Sequence, residues 1–179
     1  MSGLVAQAAK VAHSTAVNLL SRSQIKEGDK IPEILLKDNP ETATVKVHDV
    51  PGKILICGVP GAFTPPCSSQ IPAYIENYQK FVDKGFGGIY VVGVNDAFVM
   101  NAWKEKLAPQ GTPIHFVADD QAQFVSALGL VMDATGLLGG PRSKRFVIIA
   151  QDGKVLRLKV EDEAPNVTCT KADAVLEDI

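Results

Sequence analysis

The sequence of 179 residues has little of what marks membrane, secreted or nucleic-acid-binding proteins. No apolar run approaches the roughly 20 residues that a membrane-spanning helix needs. The 18 basic residues do not outnumber the 20 acidic ones, so the basic excess typical of nucleic-acid-binding proteins is missing. Three cysteines are too few for a disulfide scaffold, and their odd number leaves at least one thiol unpaired. We therefore expect one globular domain that binds neither nucleic acid nor a membrane.

Signatures of metal and phosphate sites are missing as well. The cysteines show no C-x₂-C spacing, and the sequence has no paired histidines. The glycines of residues 129–143 do not form the G-x-x-x-x-G-K pattern of a phosphate-binding loop. His13, His48 and His115 stand in no Cys–His spacing that indicates a protease. We therefore expect no metal ion and no bound cofactor.

Residues 1–24 differ in composition from the remainder of the chain. They contain no Asp or Glu, carry Lys10 and Arg22 as fixed positive charges, and repeat apolar residues at near-helical spacing. A mitochondrial transit peptide has such a pattern, although this segment is weakly basic for one. The alternative is an extra amphipathic helix that stays on the mature protein. The expected localisation is accordingly mitochondrial or cytoplasmic, and the expected folded domain comprises residues 25–179.

Residues 25–179 alternate between strand-like and helix-like patterns. Apolar or alternating runs that are bounded by Gly, Pro and polar residues predict strands. The first two predicted strands form a hairpin, and the last two are joined by an Asp-Gly turn, which is a strong hairpin signal. The predicted strands are Ile31–Leu36, Thr42–Val47, Lys53–Val59, Ile89–Val94, Ile114–Ala118, Arg145–Ala150 and Val155–Val160.

Helical periodicity predicts four helices between and after these strands. The first is one continuous helix from Pro65 to Gly85, with an apolar stripe at helical spacing. The second begins at the N-cap pair Asn95–Asp96, and the third follows Asp119–Asp120. A short fourth helix closes the chain over Lys171–Ile179.

The order of these elements predicts the fold class. Residues 129–143 hold four glycines and a proline, and we expect them to form a long loop. Strands that alternate with helices and end in an antiparallel pair predict an α/β protein with a mixed central sheet and helices on both faces. A thioredoxin-like fold satisfies this order, although the order alone does not require it.

Cys67 is the candidate reactive residue. It lies in the first turn of the first predicted helix, just past the end of a central strand. The free N–H groups and the dipole of a helix N-terminus stabilise an anion such as a thiolate, and open α/β sheets place their sites at this edge. Pro65, Pro66, Ser68 and Ser69 flank Cys67, and no apolar stripe includes it. A reactive thiol is therefore favoured over a small apolar filler.

The other two cysteines differ in their surroundings. Cys57 lies in the apolar strand run Ile54–Cys57, where a free cysteine usually behaves as a small hydrophobe. Cys169 lies in the polar segment Asn166–Thr170 near the end of the chain, which we expect to be exposed. From the residues alone, Cys169 is either a redox partner of Cys67 or an unremarkable surface thiol.

The segment Pro60–Ser68, Pro-Gly-Ala-Phe-Thr-Pro-Pro-Cys-Ser, resembles the P-x-x-x-T-x-x-C motif of the peroxiredoxins. The fuller P-G-A-F-T-P-x-C-S form is similar to the peroxiredoxin-5 subfamily. Further matches are Val94–Val99, Ala118–Asp119 and Lys144–Phe146, so the resemblance covers about residues 25–179. It implies a thioredoxin fold and a homodimer. It also implies that hydrogen peroxide, alkyl hydroperoxides and peroxynitrite are reduced with electrons from thioredoxin.

The resemblance also implies roles for individual residues. Cys67 is similar to the peroxidatic cysteine of the family. Thr64 and Arg145 resemble the polar pair beside that cysteine, and Pro60 resembles the residue that shields it. Arg145 would hold the thiolate ionised and stabilise charge on the leaving oxygen, and the Thr64 hydroxyl would donate to either anion. Oxidised Cys67 would be a sulfenic acid that a second thiol captures as a disulfide.

Cys169 resembles the resolving cysteine of the animal-type members, which implies an intramolecular disulfide with Cys67. The strand Ile89–Gly93 has no cysteine like the resolving one of plant members. The sequence departs from the family pattern by residues 1–24. It ends in Glu-Asp-Ile rather than in a signal like Ser-Lys-Leu, so a peroxisomal address is not expected. The alternative to a peroxidase is a peroxide-sensing redox signalling protein that uses the same cysteine to pass a disulfide to partners.

Overall fold

The computed structural model describes residues 23–38 and 44–179 of the chain. The predictions for residues 1–22, and for the tip of the first hairpin, lie outside these residues. Within the described ranges, none of the helices has the length and apolar character needed to span a membrane.

Strands make up the centre of the fold. In chain order they are β1 (Leu36–Lys37), β2 (Thr44–Val45), β3 (Lys53–Val59), β4 (Phe86–Gly93), β5 (His115–Ala118), β6 (Val131–Asp133), β7 (Pro141–Ser143), β8 (Phe146–Gln151) and β9 (Lys154–Val160). Seven of them form one sheet in the spatial order β2-β1-β5-β4-β3-β8-β9. The three central strands β3, β4 and β5 are parallel, and the outer strands pair antiparallel. The sheet is therefore mixed, as predicted.

Helices follow most of the central strands. They are α1 (Pro65–Glu76), α2 (Tyr78–Asp83), α3 (Ala97–Leu107), α4 (Gln123–Ala127), α5 (Thr135–Leu138) and α6 (Ala172–Glu177). The crossovers from β3 to β4 and from β4 to β5 contain α1, α2 and α3, which is how parallel neighbours are ordinarily connected. In open α/β sheets, ligands usually bind at the carboxyl ends of the parallel strands. In this fold, that edge is where β3 ends and α1 begins.

Successive side chains of the central strands point to opposite faces of the sheet, and each face has its own core. On β3, Leu55 and Cys57 belong to the core that α1, α2, α3 and α6 cover. Ile54 and Ile56 belong to the opposite core, where they are joined by Phe124 of α4. The predicted arrangement, with helices on both faces of a mixed sheet, is confirmed.

The predicted helix from Pro65 to Gly85 is two helices rather than one. Asn77 separates α1 from α2. Its side chain donates to the carbonyl oxygen of Ala73 at 2.8 Å, and its backbone N–H donates to the same oxygen at 3.1 Å. Asparagine competes in this way with the regular hydrogen bonds of a helix. The apolar stripe gave no sign of the break, because Phe81 of α2 is still buried in the same core.

The prediction of a long loop over residues 129–143 is wrong, because the segment contains β6, α5 and β7. The two strands pair antiparallel, with Val131 opposite Ser143 and Met132 opposite Arg142. Elements of three or four residues are too short to show a period, so a glycine-rich composition conceals them. This hairpin forms one wall of the site described below.

Of the two hairpins predicted in the main sheet, the second was predicted more accurately than the first. The turn at Asp152–Gly153 is confirmed, since both residues have the positive φ of a type I′ turn, 49° and 74°. A Cβ atom on Gly153 would lie 2.5 Å from the carbonyl oxygen of His48, so no other residue fits there. The predicted strand Ile31–Leu36 is too long, because only Leu36–Lys37 are paired as a strand. Ile31 is nevertheless buried, and this burial produced the strand-like pattern.

Candidate active site

Cys67 lies in the first turn of α1 and is completely buried. Thr64 is the N-cap residue, and Pro65 and Pro66 occupy the first two helical positions. Because proline has no N–H, the N–H of Cys67 is the first that the helix offers. The next one, on Ser68, donates to the carbonyl oxygen of Thr64 at 2.9 Å. Among the described residues no acceptor binds the Cys67 N–H, so it is available to an oxygen atom beside the sulfur.

Arg145 brings two further N–H groups to the sulfur of Cys67. Its Nη1 and Nη2 atoms each lie 3.5 Å from Cys67 Sγ. Nη1 also donates to Gln70 Oε1 at 2.7 Å. Nη2 and Nε donate to the carbonyl oxygen of Ala164 at 2.8 and 3.0 Å. All five N–H groups of the guanidinium are thereby engaged, which fixes its plane against the sulfur.

The charge of Arg145 is buried without a carboxylate beside it. The side chain is among the largest fully buried ones, with 1% of its surface exposed. A buried charge costs free energy unless an opposite charge pairs with it. Over residues 23–38 and 44–179, no carboxylate forms an ion pair with Arg145. The acceptors of its hydrogen bonds are two neutral amide-type oxygens and the Cys67 sulfur, so a thiolate at Cys67 would neutralise the guanidinium.

Thr64 and Pro60 also line the site, but the Thr64 hydroxyl does not donate to the sulfur in this structure. It donates to the carbonyl oxygen of Gly61 at 3.0 Å and so closes the turn before α1. Phe63, inside this turn, has a φ of 64°, a conformation that residues other than glycine seldom adopt. Pro60 is buried at the end of β3.

A cavity of about 240 Å³ opens beside the first turn of α1. Pro60, Thr64 and Arg145 line this cavity. Met132, Ala134, Leu137 and Leu138 from the β6–β7 hairpin give it an apolar wall. A volume below the roughly 300–1,000 Å³ typical of sites for drug-sized ligands suits a small substrate. In the described part of the chain, no group of three or more His, Cys, Asp or Glu side chains is arranged to hold a metal ion.

Asn95 and Arg142, to which the sequence patterns gave no such role, hold the loops around this cavity together. Asn95 Oδ1 accepts a hydrogen bond from the N–H of Ala62 at 3.0 Å. Arg142 donates to the carbonyl oxygens of Val94 at 2.7 Å and Leu138 at 2.9 Å. These bonds join the loop before α1 to the loop after β4 and to α5. Asn95 therefore does not cap α3, and that role belongs to its neighbour in the predicted N-cap pair.

Cys57 shares a core with Cys67 but has a different environment. It is completely buried in β3, where it pairs with Val91 and Val147 of the neighbouring strands. Burial raises the pKa of the Cys57 thiol to about 12, although the charge of Arg145 acts in the opposite direction. The predicted core position of Cys57 is confirmed.

Cys169 is partly buried between β9 and α6, and like the other two cysteines it is a free thiol. Its Sγ lies 3.6 Å from the carbonyl oxygen of Val160. The flanking residues Thr168 and Thr170 both donate to the carboxylate of Glu161. Burial, and after it the negative charge of Glu161, raises the pKa of the Cys169 thiol. Cys169 is thus less exposed than the polar sequence around it suggested.

Hydrogen bonds connect the surroundings of Cys67 with the segment that carries Cys169. Gln70 Nε2 donates to both the carbonyl and the hydroxyl oxygen of Thr170, each at 2.9 Å. The hydroxyl of Tyr74 donates to the same carbonyl oxygen at 2.7 Å. Sequence patterns did not identify Gln70, because its partner Thr170 lies 100 positions away. The only local signal is the spacing of Gln70, one helical turn after Cys67.

One family model and several known proteins match the chain over most of its length. The family model described as Redoxin matches residues 26–176, a range that includes Cys67, Arg145 and Cys169. The chain is 45% identical over 150 residues to peroxisomal membrane associated protein 20 of Schizosaccharomyces pombe, with 83% of this chain and 96% of that protein covered. It is 39% identical over 125 residues to mitochondrial peroxiredoxin-2F of Arabidopsis thaliana, with 69% of this chain and 62% of that protein covered.

Solved structures give a similar result. Reduced Prx3 from Vibrio vulnificus in complex with H2O2 has a TM-score of 0.81 and 35% identity, with 87% of this chain and 96% of that chain covered. Peroxiredoxin 5 from Alvinella pompejana has a TM-score of 0.75 and 34% identity, with 86% of this chain and 96% of that chain covered. The similarity therefore extends over almost the whole of both folds.

Proposed function

The chain belongs to the redoxin family and is a peroxiredoxin of the peroxiredoxin-5 type, a thiol peroxidase with a thioredoxin-like fold, and we propose that Cys67 performs its reaction. The resemblance inferred from Pro60–Ser68 is thereby confirmed at the level of the family. The roles of the individual residues, the range of peroxides and the reductant are our proposal, argued below from the geometry of the site.

The observation that carries the proposal is the pair of Arg145 N–H groups directed at Cys67 Sγ beside a small cavity. The Cys67 thiolate attacks one oxygen of the peroxide, so an S–O bond forms while the O–O bond breaks. The sulfur is oxidised to a sulfenic acid, and the peroxide is reduced. The electron pair of the broken bond leaves on the second oxygen as hydroxide or alkoxide, which takes up a proton to give water or an alcohol.

Three donors support the charge that moves during this step. Arg145 faces the sulfur before the attack and the leaving oxygen after it. The Cys67 N–H, which has no acceptor among the described residues, donates to an oxygen placed beside the sulfur. The Thr64 hydroxyl contributes once it turns away from Gly61. Pro60 shields the sulfur from water at the end of β3.

The apolar wall of the cavity supports alkyl hydroperoxides as substrates in addition to hydrogen peroxide. Leu137 and Leu138 provide contacts for an alkyl chain, while the peroxide group reaches Arg145. Burying one CH₂ group contributes about 0.8 kcal/mol. A short-chain alkyl hydroperoxide should therefore have a higher kcat/KM than hydrogen peroxide. The small anion peroxynitrite is included in the proposal because Arg145 offers it a positive charge.

Cys169 is proposed as the thiol that resolves the sulfenic acid. Its sulfur attacks the Cys67 sulfur, so an S–S bond forms and the sulfenic oxygen leaves as water. A dithiol of the thioredoxin type then reduces the intramolecular disulfide by exchange. The proposal is supported by the contact between α1 and Thr170, the residue directly after Cys169.

A coupled assay tests the proposed function. NADPH consumption is followed with thioredoxin, thioredoxin reductase and peroxide, with and without the protein. We expect many equivalents of peroxide to be reduced per chain, with ethyl hydroperoxide, a short-chain alkyl hydroperoxide, preferred to hydrogen peroxide. Consumption that stops after one equivalent would contradict a peroxidase cycle with thioredoxin and would favour the redox-signalling alternative.

We also propose that the protein forms a homodimer through apolar side chains around the cavity. Phe63, Phe98 and Leu137 are 47%, 72% and 87% exposed, respectively. Phe63 lies in the loop before α1, Phe98 in the first turn of α3 and Leu137 in α5. The hydrogen bonds of Asn95 and Arg142 connect these three segments. Exposed apolar groups that adjoin one another mark association surfaces. Analytical ultracentrifugation should show a dimer for the native chain and a monomer for Phe98→Glu, and a native monomer would contradict this proposal.

The proposed localisation depends on residues 1–24. One relative is named for the peroxisomal membrane and another for mitochondria, so the names of the relatives do not agree on a compartment. The composition of residues 1–24 supports mitochondrial import, and a retained amphipathic helix in a cytoplasmic protein is the alternative. An intact-mass measurement of the protein from cells distinguishes them, because import would remove this segment.

A further inference from the structure

Glu161 is a buried carboxylate that the peroxide step does not use. It follows the last residue of β9 and is 6% exposed. Its oxygens accept four hydrogen bonds, from the N–H and hydroxyl of Thr168 at 2.6 Å each and from the N–H and hydroxyl of Thr170 at 2.9 and 2.8 Å. Burial disfavours the charged form, but these hydrogen bonds outweigh burial and lower the pKa of Glu161 to about 2. The group is therefore ionised at physiological pH.

The two threonines stand on either side of Cys169, so the carboxylate fixes the backbone before and after this thiol. Thr168 is seven positions from Glu161 in sequence, and their two hydrogen bonds close the intervening segment into a loop. The Cys169 sulfur is directed back toward the end of β9, at the carbonyl oxygen of Val160. An unsupported polar segment near a chain end would be mobile.

The same segment is attached to the helix that carries Cys67. Gln70 and Tyr74 of α1 both donate to the carbonyl oxygen of Thr170. Cys169 is therefore one residue from a direct contact with α1, and Gln70 is one helical turn from Cys67. The Thr170 hydroxyl donates to Glu161 and accepts from Gln70, so both attachments meet at one residue.

We propose that Glu161 is a positioning residue for disulfide formation: its carboxylate holds Thr168–Thr170 on α1, and this attachment speeds the capture of the Cys67 sulfenic acid by Cys169. This inference rests on the proposed function, in which the Cys169 thiol captures the sulfenic acid with loss of water. Holding two reacting groups near each other raises their effective concentration. The sulfenic acid is captured only if Cys169 reacts before a second peroxide oxidises it to a sulfinic acid.

The first test compares Glu161→Gln with Glu163→Gln, which removes the same charge from an exposed neighbouring position. Reduced protein is mixed with one equivalent of hydrogen peroxide and quenched with acid at increasing times. Sulfenic acid and disulfide are then counted by mass spectrometry. Loss of a hydrogen-bonded charge should slow disulfide formation by about tenfold in Glu161→Gln and leave it unchanged in Glu163→Gln. Glu161→Gln should also accumulate more Cys67 sulfinic acid when peroxide is in excess.

A second pair of variants keeps the test valid if Glu161→Gln folds poorly. Thr168→Val removes one of the four donors and leaves the carboxylate in place. Thr168→Ser retains the hydroxyl, so it should restore the native rate of disulfide formation, whereas Thr168→Val should be several-fold slower. A general loss of stability would slow the peroxide step as well, but a positioning role changes the disulfide step more than the peroxide step.

The outcomes separate this inference from the proposed function. If peroxide does not oxidise Cys67 in the native protein, the proposed function fails. If the native protein forms the Cys67–Cys169 disulfide and both Glu161→Gln and Thr168→Val form it equally fast or faster, the positioning role alone is overturned. The fluorescence of Trp103, the single tryptophan, gives an independent signal, because its Nε1 donates to Ser68 Oγ next to Cys67 at 3.2 Å.

Discussion

Cys57 and Cys67 are two fully buried thiols in one core, and their surroundings are opposite in kind. Cys57 lies in the middle of β3 between apolar strands, where burial raises its thiol pKa to about 12. Cys67 lies where a helix begins, with an unoccupied N–H of its own and two N–H groups of Arg145 at its sulfur. The proposed reactivity of Cys67 therefore rests on the donors that face its sulfur and not on burial, which both thiols share.

Replacing Cys67 and Cys57 in turn should give the largest difference in peroxidase activity between any two variants. Cys67→Ser should abolish peroxide reduction, because a hydroxyl does not replace a thiolate as the nucleophile. Cys57→Ser should retain turnover while losing about 1–3 kcal/mol of stability, since it buries a hydroxyl among apolar strands. The coupled NADPH assay and thermal unfolding measure the two effects. Comparable loss of turnover in two folded variants would refute the assignment.

Cys169→Ser should abolish the cycle but not the first turnover. The peroxide step needs only Cys67, so one equivalent of peroxide should be consumed at the native rate. Cycling supported by thioredoxin should be lost, and Cys67 should be over-oxidised more readily. In the native protein, peptide mapping after one equivalent of peroxide should find Cys67 linked to Cys169 within one chain. A link between two chains, or one to Cys57, would argue against the intramolecular cycle.

Arg145→Met removes the feature that most distinguishes Cys67 from Cys57. The peroxide step should slow by about 100-fold, the loss typical of removing a donor to a developing anion. Stopped-flow oxidation measures the rate, and Lys144→Met, at the neighbouring position, is the control for loss of charge. A native rate in Arg145→Met would mean that the guanidinium does not act on the sulfur.

Glu161 binds the residues on either side of the third thiol, Cys169. Its charge makes the stability of this region depend on pH. Its folded-state pKa of about 2 lies below the ordinary value of 4.5, so its contribution to stability is complete above about pH 4.5 and is lost as pH falls through about 2. The free energy of unfolding of Glu161→Gln should therefore be lower than that of the native protein at pH 7, and the difference should shrink toward pH 2. Urea unfolding measures it, and a difference that does not change with pH would contradict the ionised carboxylate.

Pro66→Gly should give the smallest effect and concerns only the donors around Cys67. It adds an N–H next to that of Cys67, and a hydrogen bond to a developing anion is worth about 1.5–3 kcal/mol. It also removes the fixed φ of proline, which costs about 0.4–1 kcal/mol of stability. We expect kcat/KM for peroxide to increase several-fold while the melting temperature falls slightly. A slower stopped-flow reaction would mean that the rigidity of Pro66 matters more than the missing donor.

Much of the fold could be predicted because its signals are local. The apolar run of β3 was predicted with its observed bounds, since Gly52 and Pro60 limit it on both sides. The start of α1 follows from Pro65–Pro66. The break at Asn77 and the short elements of residues 129–143 leave no periodic signal, because one side-chain hydrogen bond and pairing over three residues decide them.

The same distinction between local signals and long-range contacts applies to the residues of the site. Cys67 was identified from the residues around it, because helix N-termini favour anions. Gln70 could not be identified, because its hydrogen bonds reach Arg145 and Thr170, 75 and 100 positions away in sequence. The resemblance to the peroxiredoxins supplied Arg145, which no local pattern marks. The structure adds the geometry, with two guanidinium nitrogens each 3.5 Å from the sulfur.

The identity of the oxidised thiol tests the central claim most directly. Reduced Cys169→Ser protein is treated with one equivalent of hydrogen peroxide in the presence of dimedone, which labels sulfenic acids, and the labelled peptides are mapped. Because Cys169 is absent, the sulfenic acid persists long enough to be labelled. We predict that the label is found on Cys67 and not on Cys57. Label on Cys57, or equal label on both buried thiols, would contradict the account.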